Sequence, residues 1–140
     1  MSTIADCLAA WHSFTRSRSA DELEALLADD VVFTSPVVFR PQDGKAVTFA
    51  YLWAAMHTLG DPANGFRYLR EIVDHDQSTA VLEFETTLDG VLVNGVDMIA
   101  CDDAGRIVDF KVMVRPLRGI NAVHAAMARM LDELGSPPTA

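Results

Sequence analysis

Basic residues are scarce in this sequence: 11 Lys and Arg stand against 20 Asp and Glu, a formal net charge of −9. Binding a nucleic-acid backbone takes clustered Lys and Arg, so no nucleic-acid partner is expected. The acidity reads instead as a solubilising surface. Long apolar runs are missing too, and none approaches the roughly 20 residues of a membrane span. The opening stretch MSTIADCLAAWHSF carries an acid at Asp6 and no basic leader, so neither a signal peptide nor a membrane partner is expected. Cysteine is limited to Cys7 and Cys101, whose spacing fits neither a metal site nor a disulfide framework. Free, buried, reduced thiols in a cytoplasmic protein are the expectation. With 8 glycines and 6 prolines, widespread disorder is not expected.

What is present is apolar: half of the 140 residues are hydrophobic. That length and composition predict a single domain over residues 1–140, with GSPPTA at 135–140 as a frayed tail. Residues 3–15 read as a helix, with Ile4, Leu8, Trp11 and Phe14 at helical spacing. SADELEALLADD begins another, where Ser19 and Glu22 have capping-box spacing. VVFTS and VVF then read as two short strands around Ser35 and Pro36. PQDGK turns the chain into the helix KAVTFAYLWAAMHTL, which GDPANG ends.

Four strand-like runs follow: FRYLREIVDHD, STAVLEFETTLDG, VLVNGVDMIACDDAG and RIVDFKVMVRP. Their short links predict antiparallel neighbours. A last helix is expected from about Arg118 to Leu134, with Val123, Met127, Met130 and Leu134 on one side. Helices gathered against an antiparallel sheet define an α+β fold.

Alternation sorts the strand faces. Leu82, Phe84 and Thr86 share one face of their run, and Val108, Phe110, Val112 and Val114 share one face of theirs. These sets should face the helices. Glu83, Glu85, Ile107, Asp109, Lys111, Met113 and Arg115 fall on the other face, where cross-strand ion pairs or a subunit contact explain the charges. Asp97 is different: it lies between Val96 and Met98 in an apolar strand. If it points to the helix side it is buried or lines a cavity, and burial raises its pKa unless a partner offsets it, so a functional carboxyl and a satisfied structural one both fit.

LLADDVVFTSPVVF followed by GKAV and a helix, and later GVDMIACDDAGRIVDFKVMVRP, resemble the nuclear transport factor 2-like superfamily, which includes SnoaL-like polyketide cyclases and ketosteroid isomerases. The resemblance covers almost the whole chain. It implies a cone-shaped curved sheet around the N-terminal helices, a pocket between them, an extra C-terminal helix, and a homodimer through the sheet. In the isomerase pattern an Asp base moves the proton while a Tyr and a protonated Asp hold the oxyanion. The resemblance puts that base on Ser35 and the oxyanion Asp on Asp97. The Tyr would fall near Trp11 to Phe14, where no Tyr stands. Serine is no carboxylate base, so if the protein is catalytic, Asp97 is the tentative acid or base.

Resemblance and alternation together give a pocket lining of Trp11, Phe33, Ser35, Tyr51, Met56, Phe84, Phe110 and Val112 around Asp97, with His57 near the rim. No histidine has metal-ligand spacing and no phosphate loop is visible, so neither metal nor cofactor is expected. Three readings stay open. The pocket binds a small hydrophobic or polycyclic molecule without turnover. Alternatively, Asp97 serves an isomerase, cyclase or dehydratase without metal. Or the chain is a non-catalytic structural or partner-binding dimer.

Overall fold

The computed structural model describes residues 3–134, so the tail expected at 135–140 lies outside the described residues. Helix α1 (Ile4–Ser17) starts at a reciprocal cap: Thr3 Oγ1 accepts from the Asp6 amide, and the Asp6 carboxyl accepts from the Thr3 amide. Its buried stripe is Ile4, Cys7, Leu8, Trp11 and Phe14. Helix α2 (Ala20–Leu26) uses only half of the box expected at Ser19 and Glu22. Ser19 Oγ accepts from the Glu22 amide, but the Glu22 carboxylate turns to the Ser13 hydroxyl at 2.9 Å.

Strand β1 (Leu27–Thr34) follows directly. The expected strand at Val37, Val38 and Phe39 does not form. Ser35 Oγ accepts from the Val37 and Val38 amides at 3.1 and 3.0 Å, so the chain turns there and those donors are lost to a ladder. The next strand, β2, is only Gln42–Asp43. Helix α3 (Lys45–Met56) leads through a short 3₁₀ turn to strands β3 (Arg67–Asp74), β4 (Thr79–Leu88), β5 (Val91–Cys101) and β6 (Ile107–Arg115). Helix α4 (Leu117–Glu133) closes the described chain.

The strands form one curved six-stranded sheet in the order β2-β1-β6-β5-β4-β3. The meander is antiparallel as expected, while β1 joins β6 in parallel. The helices cover one face, so the architecture is α+β. Leu82, Phe84 and Thr86 point into the core, as does Phe110.

Bulges break the alternation at two places that matter. Between β5 and β6, Ala100 pairs with Asp109 but Cys101 pairs with Ile107, leaving Val108 as an extra residue. Ile107 therefore turns inward and is fully buried, not outward as simple alternation predicts. Between β3 and β4, Tyr68 pairs with Phe84 and Glu71 with Leu82. Two residues of β3, Leu69 and Arg70, thus oppose one of β4, Glu83. That extra residue puts Tyr68 and Glu71 on the same, inner face despite their odd spacing.

The cysteines also depart from expectation. Cys7 of α1 and Cys101 of β5 are joined in a disulfide across a sequence separation of 94. Sequence spacing hides such a contact, because only the packing of α1 on the sheet creates it. The pair therefore carries no argument for a reducing compartment.

Candidate functional site

The concave face of the sheet and the helices enclose a cavity of about 390 Å³. Trp11 and Thr15 of α1 line it, as do Phe33 of β1, Ser35 just beyond that strand, and Tyr51, Leu52 and Met56 of α3. Phe84, Asp97, Phe110 and Val112 supply the sheet wall. Rings set much of the lining: Phe33 stacks on Tyr51 at 5.2 Å, and Trp11 meets Phe110 at 5.0 Å. Helix α4 contributes Val123, His124, Met127 and Leu131 to the cavity.

Among the described residues, Asp97 is the one carboxylate on this lining, and it is only 7% exposed. Its Oδ2 accepts a 2.7 Å hydrogen bond from the Tyr68 hydroxyl. That hydroxyl in turn accepts from Trp11 Nε1–H at 3.0 Å. Burial pushes the Asp97 carboxyl up from 3.8 to about 7, and the Tyr68 hydrogen bond pulls it partly back. The Tyr68 phenol is raised well above its usual value, first by burial and then by the Asp97 charge. A carboxyl with a pKa near 7 can hold or release a proton at neutral pH, as acid–base work requires.

Tyr68 is the functional candidate that sequence reasoning missed. The resemblance puts the Tyr on the first helix; here the phenol arrives from β3 through the bulge. The signal was present, as a tyrosine in a strand-like run, but its face could not be assigned without the bulge.

His57 is not on this cavity. It lies on a separate hollow with Asn64, Asp89 and Arg129. Its Nδ1 is 2.8 Å from the Trp53 carbonyl oxygen, and its ring packs on Trp53 at 4.7 Å. A six-residue step from Tyr51 rotates a helix by roughly 240°, which takes His57 off the face that Tyr51 presents. The histidine on the cavity lining is His124. Ser35 lines the cavity, but its oxygen is already occupied as a turn acceptor. Glu83 and Glu85 pair with Arg70 and Arg67 of β3, not with the β6 cations that alternation placed beside them. Among the described residues no cluster of three His, Cys, Asp or Glu is arranged to hold a metal.

A curved sheet closed by helices over an apolar cavity is the nuclear transport factor 2-like architecture. The chain belongs to the SnoaL-like domain family, whose model matches residues 8–110. Among solved structures it is similar to a steroid delta-isomerase from Pseudomonas aeruginosa, with 35% identity over 96% of this chain and 95% of that one, and a TM-score of 0.87. It is also similar to an uncharacterized protein with a cystatin-like fold from Silicibacter pomeroyi, with 26% identity, 93% of each chain and a TM-score of 0.75. A SnoaL-like polyketide cyclase from Jannaschia shares the fold, at 12% identity, 87% of this chain, 92% of that one and a TM-score of 0.65. No curated protein sequence matches the chain. Among the described residues no helix is long and apolar enough to cross a membrane.

Proposed function

We propose that the protein binds a small, mostly apolar ring compound bearing one carbonyl or hydroxyl oxygen, and that Asp97 acts on it as acid or base in an isomerase-type proton transfer. One observation carries this reading: a buried carboxyl, with a pKa near 7, in the wall of a mostly apolar cavity. The 35% identical relative, a steroid delta-isomerase, supports the same class. In such a transfer a proton leaves the carbon between a ketone and a C=C bond and returns two carbons away, giving the conjugated ketone.

A β,γ-unsaturated ketosteroid is the test substrate. Wild-type protein should convert it to the conjugated isomer, and Asp97→Asn should lower the rate by about 10²-fold or more. A variant as active as wild type would end the Asp97 mechanism. Ser35 favours a second reading, binding without turnover, because a hydroxyl already committed to a turn replaces the expected base. Saturable binding of the ketosteroid with no conversion would select it.

The outer sheet face fits a homodimer. Leu69, Ile72, Leu92 and Met113 are exposed there, beside the Arg70–Glu83 pair. Light scattering should give about twice the 15.3 kDa chain mass, and Ile72→Asp should shift it toward one chain. A single-chain mass for the wild type would refute the dimer.

A further inference from the structure

Helix α1 reaches strand β5 in two ways. Cys7 is bonded to Cys101 directly. Four residues on along α1, Trp11 lines the cavity and donates to the Tyr68 hydroxyl, which donates to Asp97. Asp97 stands four residues before Cys101 on β5. A step of four returns to the same face of a helix, and it also returns to the same face of a strand. Burial along β5 keeps that phase, with Asp97, Ile99 and Cys101 all on the inner face. The disulfide therefore joins the two elements that carry Trp11 and Asp97, on the faces that carry them.

We infer that the Cys7–Cys101 disulfide is a redox-sensitive brace of the cavity: a dithiol reductant that opens it releases α1 from β5 and lowers the activity of the site. The effect on activity rests on the proposed isomerisation; the release of α1 does not.

The exchange balances. A thiolate of the reductant attacks Cys101 Sγ, the reductant–Cys101 bond forms, and Cys7 leaves as a thiolate. The reductant's second thiolate then attacks its own sulfur in the mixed disulfide and expels Cys101. Two electrons pass to the protein, the reductant's two thiol protons end on Cys7 and Cys101, and the reductant leaves as its own disulfide. Cys101 is the sulfur attacked, because its residue keeps 8% exposure at the end of β5 against 1% for Cys7.

Opening the bond has a consequence for the wall. Two thiols cannot lie as close as two bonded sulfurs, and a packed core has no spare room for them. Helix α1 and β5 must therefore move apart or repack. Two hydrogen bonds still hold α1, Trp11 to Tyr68 and His12 to Glu71. Both go to β3, which lies two strands from β5 in the sheet. Once released from β5, α1 shifts about that edge and takes Trp11 with it. A shift of about 1 Å beside a reacting group can cost up to roughly 10²-fold in rate.

The test begins with thiol counts on wild-type protein. Air-oxidised protein should show no free thiol by Ellman's reagent after denaturation, and both cysteines should be free after dithiothreitol acts on the folded protein. In folded Cys7→Ala, the Cys101 thiol should label about tenfold faster than Cys7 does in Cys101→Ala. Without ligand, reduction should speed amide exchange in α1 about tenfold and leave α3 within about twofold. A merely global loss of stability would speed both helices. Well below the melting temperature, reduction should lower kcat/KM for the β,γ-unsaturated ketosteroid about tenfold or more, and reoxidation should restore it. The Cys7→Ala/Cys101→Ala double variant should match reduced wild type and ignore dithiothreitol.

Free thiols in air-oxidised protein, a bond that dithiothreitol leaves intact in the folded protein, or equal exchange changes in α1 and α3 would overturn the brace. Equal activity of the oxidised and reduced forms would overturn its effect on the site. If neither form converts the ketosteroid, the proposed function fails, and the exchange measurement decides the inference by itself. Should the double variant not fold, reduced and reoxidised wild type decide it.

Discussion

At pH 8, Asp97→Asn is expected to stabilise the protein by about 3 kcal/mol while destroying its proposed activity. The folded-state pKa of Asp97 is raised from 3.8 to about 7. Between those values the folded carboxyl keeps its proton and the unfolded one has lost it. Stability from this group is therefore fully present below about pH 4, falls as pH rises, and is lost once pH passes about 7. At about 1.4 kcal/mol for each pH unit, the window amounts to roughly 4 kcal/mol, part of which burial of the new amide offsets.

Asparagine keeps the acceptor for the Tyr68 hydroxyl and cannot ionise. Denaturant unfolding of both proteins at pH 4.5 and pH 8 gives the answer. Their difference should be small at the lower pH and several-fold larger at the higher one, because ionisations elsewhere cancel between the two. A variant less stable than wild type at pH 8, or a pH-independent difference, would show that Asp97 is not held in a raised-pKa state. A carboxyl that costs stability at physiological pH and is nonetheless placed in a cavity wall is what a functional role predicts.

Much of the cavity was legible in the sequence because period-two alternation holds wherever a strand pairs without interruption. β4 and β5 match residue for residue from Thr79 opposite Ala100 to Leu88 opposite Val91, so Leu82 and Phe84 could be assigned a face. Legibility failed where a bulge added a residue. Ile107 and Tyr68 both lie beside one, and neither bulge carries a glycine or proline to announce it. Local propensity also misled at Val37, Val38 and Phe39, where β-branched and aromatic residues follow a proline and a serine that turn the chain; Phe39 is 99% exposed. The last helix was legible as a helix, but its buried side is Val123, Ala126 and Leu131, whereas Leu134 of the expected stripe is exposed. What that side covers depends on the long-range packing that seats Val123 and Leu131 over the sheet and brings His124 to the cavity.

Gly95→Ala is expected to cost about 3 kcal/mol and lower the melting temperature by roughly 10 °C. A glycine inside a strand weakens it unless something approaches closely. Here Gly95 lies opposite Phe84 on β4 and Val114 on β6. A Cβ at this position would stand 2.4 Å from the Met113 carbonyl oxygen and 2.6 Å from Phe84 Cζ. The first contact is backbone, so relief requires moving the β5–β6 ladder. The second requires moving a buried ring of the cavity wall. That ring stacks on Phe66 at 5.4 Å, and Phe66 packs edge-on against Tyr68, so the disturbance reaches the phenol that holds Asp97. The variant should therefore also lose part of the proposed ketosteroid isomerisation activity although Asp97 is unchanged. Adding Phe84→Leu shortens the ring's reach and should recover part of the stability, with the remainder lost to the carbonyl contact. An unchanged melting temperature in Gly95→Ala would show that the close approach of β5 to Phe84 and β6 does not shape this wall.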